Sequence, residues 1–490
     1  MPANSIVLAL LAGVVPFGPP APAALPVPLA TPAALVPPAY PPPAPRAGPL
    51  RLDEVLESSR FYAPQVVEAL AKLRGAEGKR LSAEGVFDTV FAADAEIRPT
   101  GYYDGSWAEA RVTKPFTGIG GYAYGGYRIA GGEFPIYDDN RYTRLGGEVK
   151  AGAVLSLLRD RVIDERRFGL LQADIEIALA ETDRALVAIG VQARAVAAYN
   201  SWVVAGLRRG IYRDLLALAE RRQAGIRRQV ALGQRPAILI TENEQNILRR
   251  QTLVTQAEQA LAQAATSLSL YYRDAEGNRL VPVEARLPGT LPPALRLSAD
   301  AMTLAARRPD VRALEVRLAA ASQRLALDRN ALLPKLDLKV EANQDIGGSY
   351  PGNTARGQTE TKVGLSLSVP FERRAAKGRL AQTRAEIDAA AARQRFLADQ
   401  IATDIANLRV AADTAVRLAA LARDEAERAA TMAAAERRRF DLGAADFFLV
   451  NTREEAAADA AVRRLDAAFR QVVAAADIAA ATADLTALGL

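Results

Sequence analysis

The chain has 490 residues, with 62 Lys and Arg against 56 Asp and Glu, a formal net charge of +6. So mild a balance gives no sign of a nucleic-acid footprint, which needs a clustered basic face. Histidine and cysteine are both absent, which excludes His general bases, Ser-His and Cys-His dyads, His- or Cys-ligated metals, disulfides and a Cys-linked lipid anchor. No catalytic, cofactor-binding or metal site is expected, and an enzyme is the weakest reading.

Residues 1–50 stand apart in composition. They hold 15 of the 28 prolines, and their first charged side chain is Arg46. The apolar run Ser5–Val15 has the length of a signal h-region and is too short to span a bilayer as a helix. Small residues follow at Ala21, Ala23 and Ala24. The expectation is an export signal followed by a Pro-rich linker; the bland alternative is a disordered Pro/Ala tail.

From Leu52 onward the composition is helical, with two interruptions. Residues 94–156 and 334–370 are rich in strand and loop formers, and each lies between long helical stretches. The chain also repeats itself. Lys150-Ala-Gly152-Ala-Val-Leu-Ser156 parallels Lys362-Val-Gly364-Leu-Ser-Leu-Ser368, and Leu232-Gly233 parallels Leu442-Gly443. Upstream, Ala63-Pro64 parallels Arg308-Pro309. This divides the chain into a first repeat over 51–272, a connecting segment over 273–299 and a second repeat over 300–490. Each repeat reads as helix, strands, long helix, glycine turn and return helix. The outward helix of repeat two, Phe371 to Leu442, would be about 108 Å long at 1.5 Å per residue. Gly233 and Gly443 suit the left-handed position that ends a helix. A helix of that length needs neighbours along its whole course, as in coiled coils.

In the second strand zone Leu336, Leu338 and Val340 alternate with Asp337, Lys339 and Glu341, and Val363, Leu365, Leu367 and Val369 alternate with polar or small residues. One face is apolar and the other polar. A soluble sheet on a core gives the same pattern. Here each strand set is isolated between long helices, and an isolated hairpin is marginal. Pairing with other chains in a closed barrel would satisfy the edges.

Three stretches carry a resemblance. Arg308-Pro-Asp-Val-Arg-Ala-Leu-Glu-Val-Arg with Leu333-Pro334, the corner Leu367-Ser-Val-Pro370-Phe371 before Gly378, and Leu442-Gly443 before Asp446-Phe-Phe-Leu-Val450 resemble the TolC-like outer-membrane efflux protein family. The resemblance covers residues 52–488. It implies a mainly helical fold with a small β part. Duplicated antiparallel helical hairpins would form a trimeric periplasmic α-barrel, continuous with a twelve-stranded outer-membrane β-barrel of four strands per chain. It implies a passive exit duct for efflux or type I secretion, in the outer membrane of a Gram-negative bacterium. The implied partners are two further copies, outer-membrane lipid, a periplasmic adaptor and an inner-membrane pump or ABC transporter, with no nucleic acid. The adaptor-docking tips would be Gly233, Gln234, Arg235 and Pro236, and Gly443, Ala444, Ala445 and Asp446. The acidic gate pair of the family falls on Leu449 and Thr452, and in repeat one on Leu239 and Glu242. That leaves Glu242, Glu244, Asn451 and Thr452 as the gate candidates.

Other motifs carry less. The glycines at 118, 120, 121, 125 and 126 do not complete G-x-G-x-x-G, because position 123 is Ala, and no Lys-Ser/Thr follows. A glycine-rich β loop is expected, and residues 108–143 read either as a long external loop or as extra strands. Glu454-Glu455 and Asp138-Asp139 read as solvated acids rather than a catalytic pair. The arginines at 221, 222, 227, 228, 249, 250 and 437–439 read as snorkelling side chains or as a docking surface near the tips. Two rivals remain, a periplasmic adaptor and a soluble coiled-coil scaffold. The duplicated hairpin argues against the first, and the signal-like segment and alternating strands against the second.

Overall fold

The computed structural model describes residues 48–297, 301–348 and 357–490, without the side chains of 139, 140 and 301–303. The export signal expected within 1–50 therefore lies outside the described residues. The described chain is mainly helical with one small antiparallel sheet. Its elements are α1 (Leu52–Tyr62), α2 (Pro64–Glu84), β1 (Val90–Ile97), β2 (Ser106–Pro115), β3 (Gly121–Gly131), β4 (Glu148–Ser156), α3 (Glu165–Ala231), α4 (Ile238–Leu268), α5 (Ala301–Ala306), α6 (Pro309–Asn330), β5 (Lys335–Asp345), β6 (Glu360–Ser368), α7 (Arg374–Asp441) and α8 (Phe447–Thr482). No described helix is long and apolar enough to cross a membrane.

The chain falls into two compact units. One contains Arg74–Ala178 and Glu315–Ala392, and holds the sheet. Its six strands pair in sequence order, each antiparallel to the next. The count corrects the four strands per chain that the family resemblance implied. The two added strands are β2 and β3, so residues 108–143 supply sheet as well as loop, and Gly121, Gly125 and Gly126 lie inside β3. The alternation Ala108-Glu-Ala-Arg-Val-Thr-Lys114 is the physical reason: it offers one apolar and one polar face, as β5 and β6 do.

The other unit contains residues 48–73, Leu179–Leu314 and Arg393–Leu490. Its main core lies where Val196, Tyr199 and Val203 of α3, spaced on one helical face, meet Leu261, Ala265 and Leu268 of α4. Leu50 and Val55 close over them. Each such aliphatic side chain, fully buried, is worth roughly 1.5–3 kcal/mol. The polar groups trapped there are paired. Tyr199 Oη donates to the Leu50 carbonyl at 2.7 Å, and burial pushes its pKa up to about 12. Gln192 Nε2 donates to the Leu56 carbonyl at 2.9 Å. The connecting segment docks here too, with the Leu50 N–H on the Arg286 carbonyl at 2.7 Å and the Arg286 guanidinium on Glu54 at 2.9 Å.

The helical stretch that opens the second repeat is two helices, α5 and α6. Pro309 opens α6, where its missing N–H costs nothing because the first-turn donors have no intrahelical partner.

Candidate functional site

The sheet has two chemically distinct faces, fixed by register. On one face Phe91, Ala93 and Ala95 of β1 lie opposite Val112, Ala110 and Ala108 of β2. The same face continues through Tyr127 and Ile129 of β3, then Val149, Ala151, Ala153 and Leu155 of β4. It ends on Leu338 and Val340 of β5 against Leu365 and Val363 of β6. Val363, Leu365 and Leu367 are 68, 69 and 65% exposed. Lys114 departs from the pattern at the end of β2, where its amine donates to the Phe87 carbonyl at 2.9 Å. Among the described residues, the short helical turn Gly85–Phe87 is the one helical segment in more than marginal contact with the sheet. An apolar sheet face without a covering helix layer is what lipid would solvate.

The opposite face is polar and internally paired. Lys150 meets Glu109 at 2.6 Å, and Arg128 meets Glu148 at 2.6 Å. Trp107 Nε1 donates to Glu96 at 3.1 Å, and Ser156 Oγ to Asp337 at 3.1 Å. Tyr124 Oη donates to Glu341, which also pairs with Lys339 at 3.0 Å. Gly152 makes room for that tyrosine, since a Cβ there would lie 2.7 Å from its ring.

In the helical unit both glycine turns end their helices in the same way. Gly233 has φ +71° and Gly443 φ +78°. The N–H of Gly233 bonds the Val230 carbonyl at 3.0 Å and that of Gln234 the Gln229 carbonyl at 2.9 Å. The N–H of Gly443 bonds Phe440 at 2.9 Å and that of Ala444 bonds Arg439 at 2.8 Å. These are paired Schellman motifs, which satisfy the last carbonyls of α3 and α7.

Beside the turns, Ile226, Phe440, Phe447 and Val450 form a small core joining the two helical hairpins. The Arg222 guanidinium sits 5.8 Å from the centres of both phenyl rings. Arg235 lies 5.3 Å from the Phe440 ring. Under this core Glu454 of α8 is fully buried and meets three arginines. Arg222 of α3 pairs with it closely, Arg250 of α4 lies at 3.2 Å, and Arg437 of α7 at 3.5 Å. Arg222 Nη1 also donates to Asn451 Oδ1 at 2.6 Å, and Arg250 Nη1 to the Leu215 carbonyl at 2.7 Å. Burial pulls the Arg250 pKa below its ordinary value, against the opposing pull of Glu454.

Comparison with known proteins adds a match to one segment and a likeness of fold. Residues 302–484 match the outer membrane efflux protein family. No curated protein matches in sequence. Among solved structures, the outer-membrane channel OprN superposes with a TM-score of 0.63 at 18% identity, covering 88% of this chain and 89% of that one. The open-state MtrE outer membrane channel of Neisseria gonorrhoeae gives 0.63 at 17% identity, covering 88% of each. The CmeC outer membrane channel of Campylobacter jejuni gives 0.60 at 14% identity, covering 88% of this chain and 85% of that one. At these identities the likeness is one of fold.

The residues expected at the two tips are placed as follows. Gly233, Gln234, Pro236, Gly443, Ala444 and Asp446 are exposed, and Arg235 and Ala445 half-buried. Of the gate candidates, Glu242 and Thr452 are exposed. Exposed Glu244 accepts from Gln223 at 3.0 Å and from Arg227 at 3.0 Å. Asn451 is buried and accepts from Arg222. Sequence reasoning placed Glu454 on a solvated face; the structure buries it among arginines from three other helices. The signal was present in the sequence: Asn451, Glu454 and Ala458 recur at the helical spacing of Phe447 and Val450, so Glu454 shares their inward face. Among the described residues no cluster of His, Cys, Asp and Glu could hold a metal ion.

Proposed function

We propose that this protein is a passive exit channel of the outer membrane of a Gram-negative bacterium, assembled as a homotrimer that makes and breaks no bond. The two-faced sheet carries the reading. An uncovered apolar face opposite a salt-bridged polar face suits a wall between lipid and a water-filled lumen, in which every backbone group is paired with a neighbouring strand. The family match over residues 302–484 and the fold likeness to the channels OprN, CmeC and MtrE support efflux as the cargo route. Type I secretion would use the same architecture. The strands weigh against a soluble scaffold, and the paired glycine turns weigh against a single-hairpin adaptor.

In this reading the turns Gly233–Pro236 and Gly443–Asp446 are the contact for a periplasmic adaptor, which couples the duct to an inner-membrane pump or ABC transporter. Glu242, Glu244, Asn451 and Thr452 lie beside the closure. The Glu454 cluster ties all four tip helices, so it opposes their separation. An adaptor opens the duct only as far as it binds the separated arrangement better than the closed one.

The test is location and assembly together. The full chain is expressed in a Gram-negative host, the membranes are separated, and the protein extracted in mild detergent is sized by light scattering. An outer-membrane particle of about three chain masses is the expected result. A cytosolic monomer or dimer overturns the reading.

A further inference from the structure

We propose that the β2–β3 hairpin is a full member of the membrane wall, so that each chain supplies six strands and a ring of three copies closes with eighteen. The inference rests on the channel reading and adds the size of its lumen. Four observations carry it. First, the hairpin sits inside the sheet, with β1 registered on β2 and β3 on β4 without a break. Second, β2 and β3 have 10 and 11 residues, matching the 11 of β5 and the roughly 9–11 that cross a bilayer as a tilted strand. Third, the two faces run on through the hairpin. Ala108, Ala110 and Val112 continue the apolar face, and Glu109 and Arg111 the polar one.

The fourth observation fastens the hairpin. Gly126 on β3 lies between Arg111 of β2 and Lys150 of β4. Having no side chain, it leaves a slot across β3, and a Cβ there would lie 3.2 Å from Lys150 Cε. Lys150 uses the slot to reach Glu109 on β2 at 2.6 Å. A loop laid outside the barrel would need neither this slot nor the pairing.

Topology admits the insertion without disturbing closure. A hairpin adds two strands, so the count per chain stays even. With β1 and β6 running in opposite directions, β6 of one copy can pair antiparallel with β1 of a second, leaving no open edge. Barrel diameter grows roughly linearly with strand number, so eighteen strands give a wall about 1.5 times wider than twelve.

The natural absence of cysteine makes the test clean. Single variants Ala110→Cys and Arg111→Cys on β2, and Leu365→Cys and Ser366→Cys on β6, are made in the full chain and labelled with a thiol-reactive fluorophore. The purified channels are placed in vesicles of brominated or ordinary phosphatidylcholine, with iodide as the aqueous quencher. The expected result is quenching by brominated lipid at 110 and 365, and by iodide at 111 and 366. If 365 and 366 alternate but 110 and 111 are both quenched by iodide alone, the hairpin lies outside the wall and this inference falls while the channel reading stands. If 365 and 366 are both quenched by iodide alone, the channel reading falls with it. Counting eighteen strands in the ring by electron cryomicroscopy supports the inference, and twelve overturns it.

Discussion

Arg250 Nη2 lies 3.2 Å from Glu454 Oε2, with the two side chains 1% and 0% exposed. They belong to α4 and α8, the return helices of the two hairpins. Removing one partner of such a pair strands an uncompensated charge out of water, at a cost on the order of 3–5 kcal/mol. Glu454→Ala strands two buried guanidiniums, Arg222 and Arg250, whereas Arg250→Ala leaves Glu454 still facing Arg222 and Arg437. The first is therefore expected to lower the thermal midpoint of helix loss, followed by circular dichroism, more than the second. The variants Arg222→Ala and Glu454→Ala, combined in a double-mutant cycle, should be strongly non-additive. On the proposed channel reading, Glu454→Ala is also expected to lengthen open dwell times in planar bilayers, because the four helices joined at Glu454 lose their common tie. Unchanged dwell times would make the cluster a purely structural feature.

The glycine turns give a prediction separable from packing. A Cβ on Gly233 or Gly443 meets nothing within 4 Å, so alanine there encounters no clash. Its cost comes from the left-handed backbone alone, about 1–2 kcal/mol. Gly233→Ala and Gly443→Ala should each lower stability by that amount, and Gly233→Asn by less, since Asn visits this region more readily. Equal losses for Ala and Asn in the thermal midpoint would point to a different constraint.

The tips were legible because helix endings are written locally: Leu-Gly after a long uninterrupted helical stretch fixes a Schellman turn without tertiary information. The apolar face of β5 and β6 was legible for the same reason, as a period-two pattern. The β2–β3 hairpin was obscured by its glycines, which read as loop when counted singly. Within β3 they are small residues in a sheet, and the slot at Gly126 becomes meaningful only once Lys150 is placed beside it. Glu454 shows the other limit. Its helical spacing puts it on the inward face with Phe447 and Val450, but the partners that meet it there are arginines 17 to more than 200 positions away in the chain, which no local pattern encodes.

Tyr199 tests how the segment around Leu50 is held to the helices. Its hydroxyl donates to the Leu50 carbonyl at 2.7 Å, inside a core where both residues are 1% exposed. Tyr199→Phe keeps the ring and leaves that carbonyl without its donor, a loss of about 1–3 kcal/mol. Amide exchange should quicken at Leu50, whose N–H donates to the Arg286 carbonyl in the next hydrogen bond. Exchange that quickens only in α4 would place the tyrosine's role in ring packing instead.

Asp310 gives the acid side of the stability curve. It lies in the first turn of α6, where Arg308 holds it at 2.6 Å while also reaching the Ala481 carbonyl near the end of α8. Burial opposes its charge. The Arg308 hydrogen bond, the Arg308 charge and the Val311 N–H together outweigh that penalty, and the pKa falls below its ordinary 3.8. A carboxylate whose folded pKa is depressed adds stability above its unfolded pKa and loses it as the pH falls through the folded value. Asp310→Asn removes the charged form in both states. Wild type should therefore exceed Asp310→Asn in thermal midpoint at neutral pH, and the gap should narrow as the pH drops below about 4. Lysine at 308 should narrow it already at neutral pH, because a point-charge ammonium cannot hold the carboxylate and the Ala481 carbonyl with the same planar fork. A gap that stays constant from neutral to acid pH would mean that Asp310 acts as a neutral helix cap, with its charge contributing nothing.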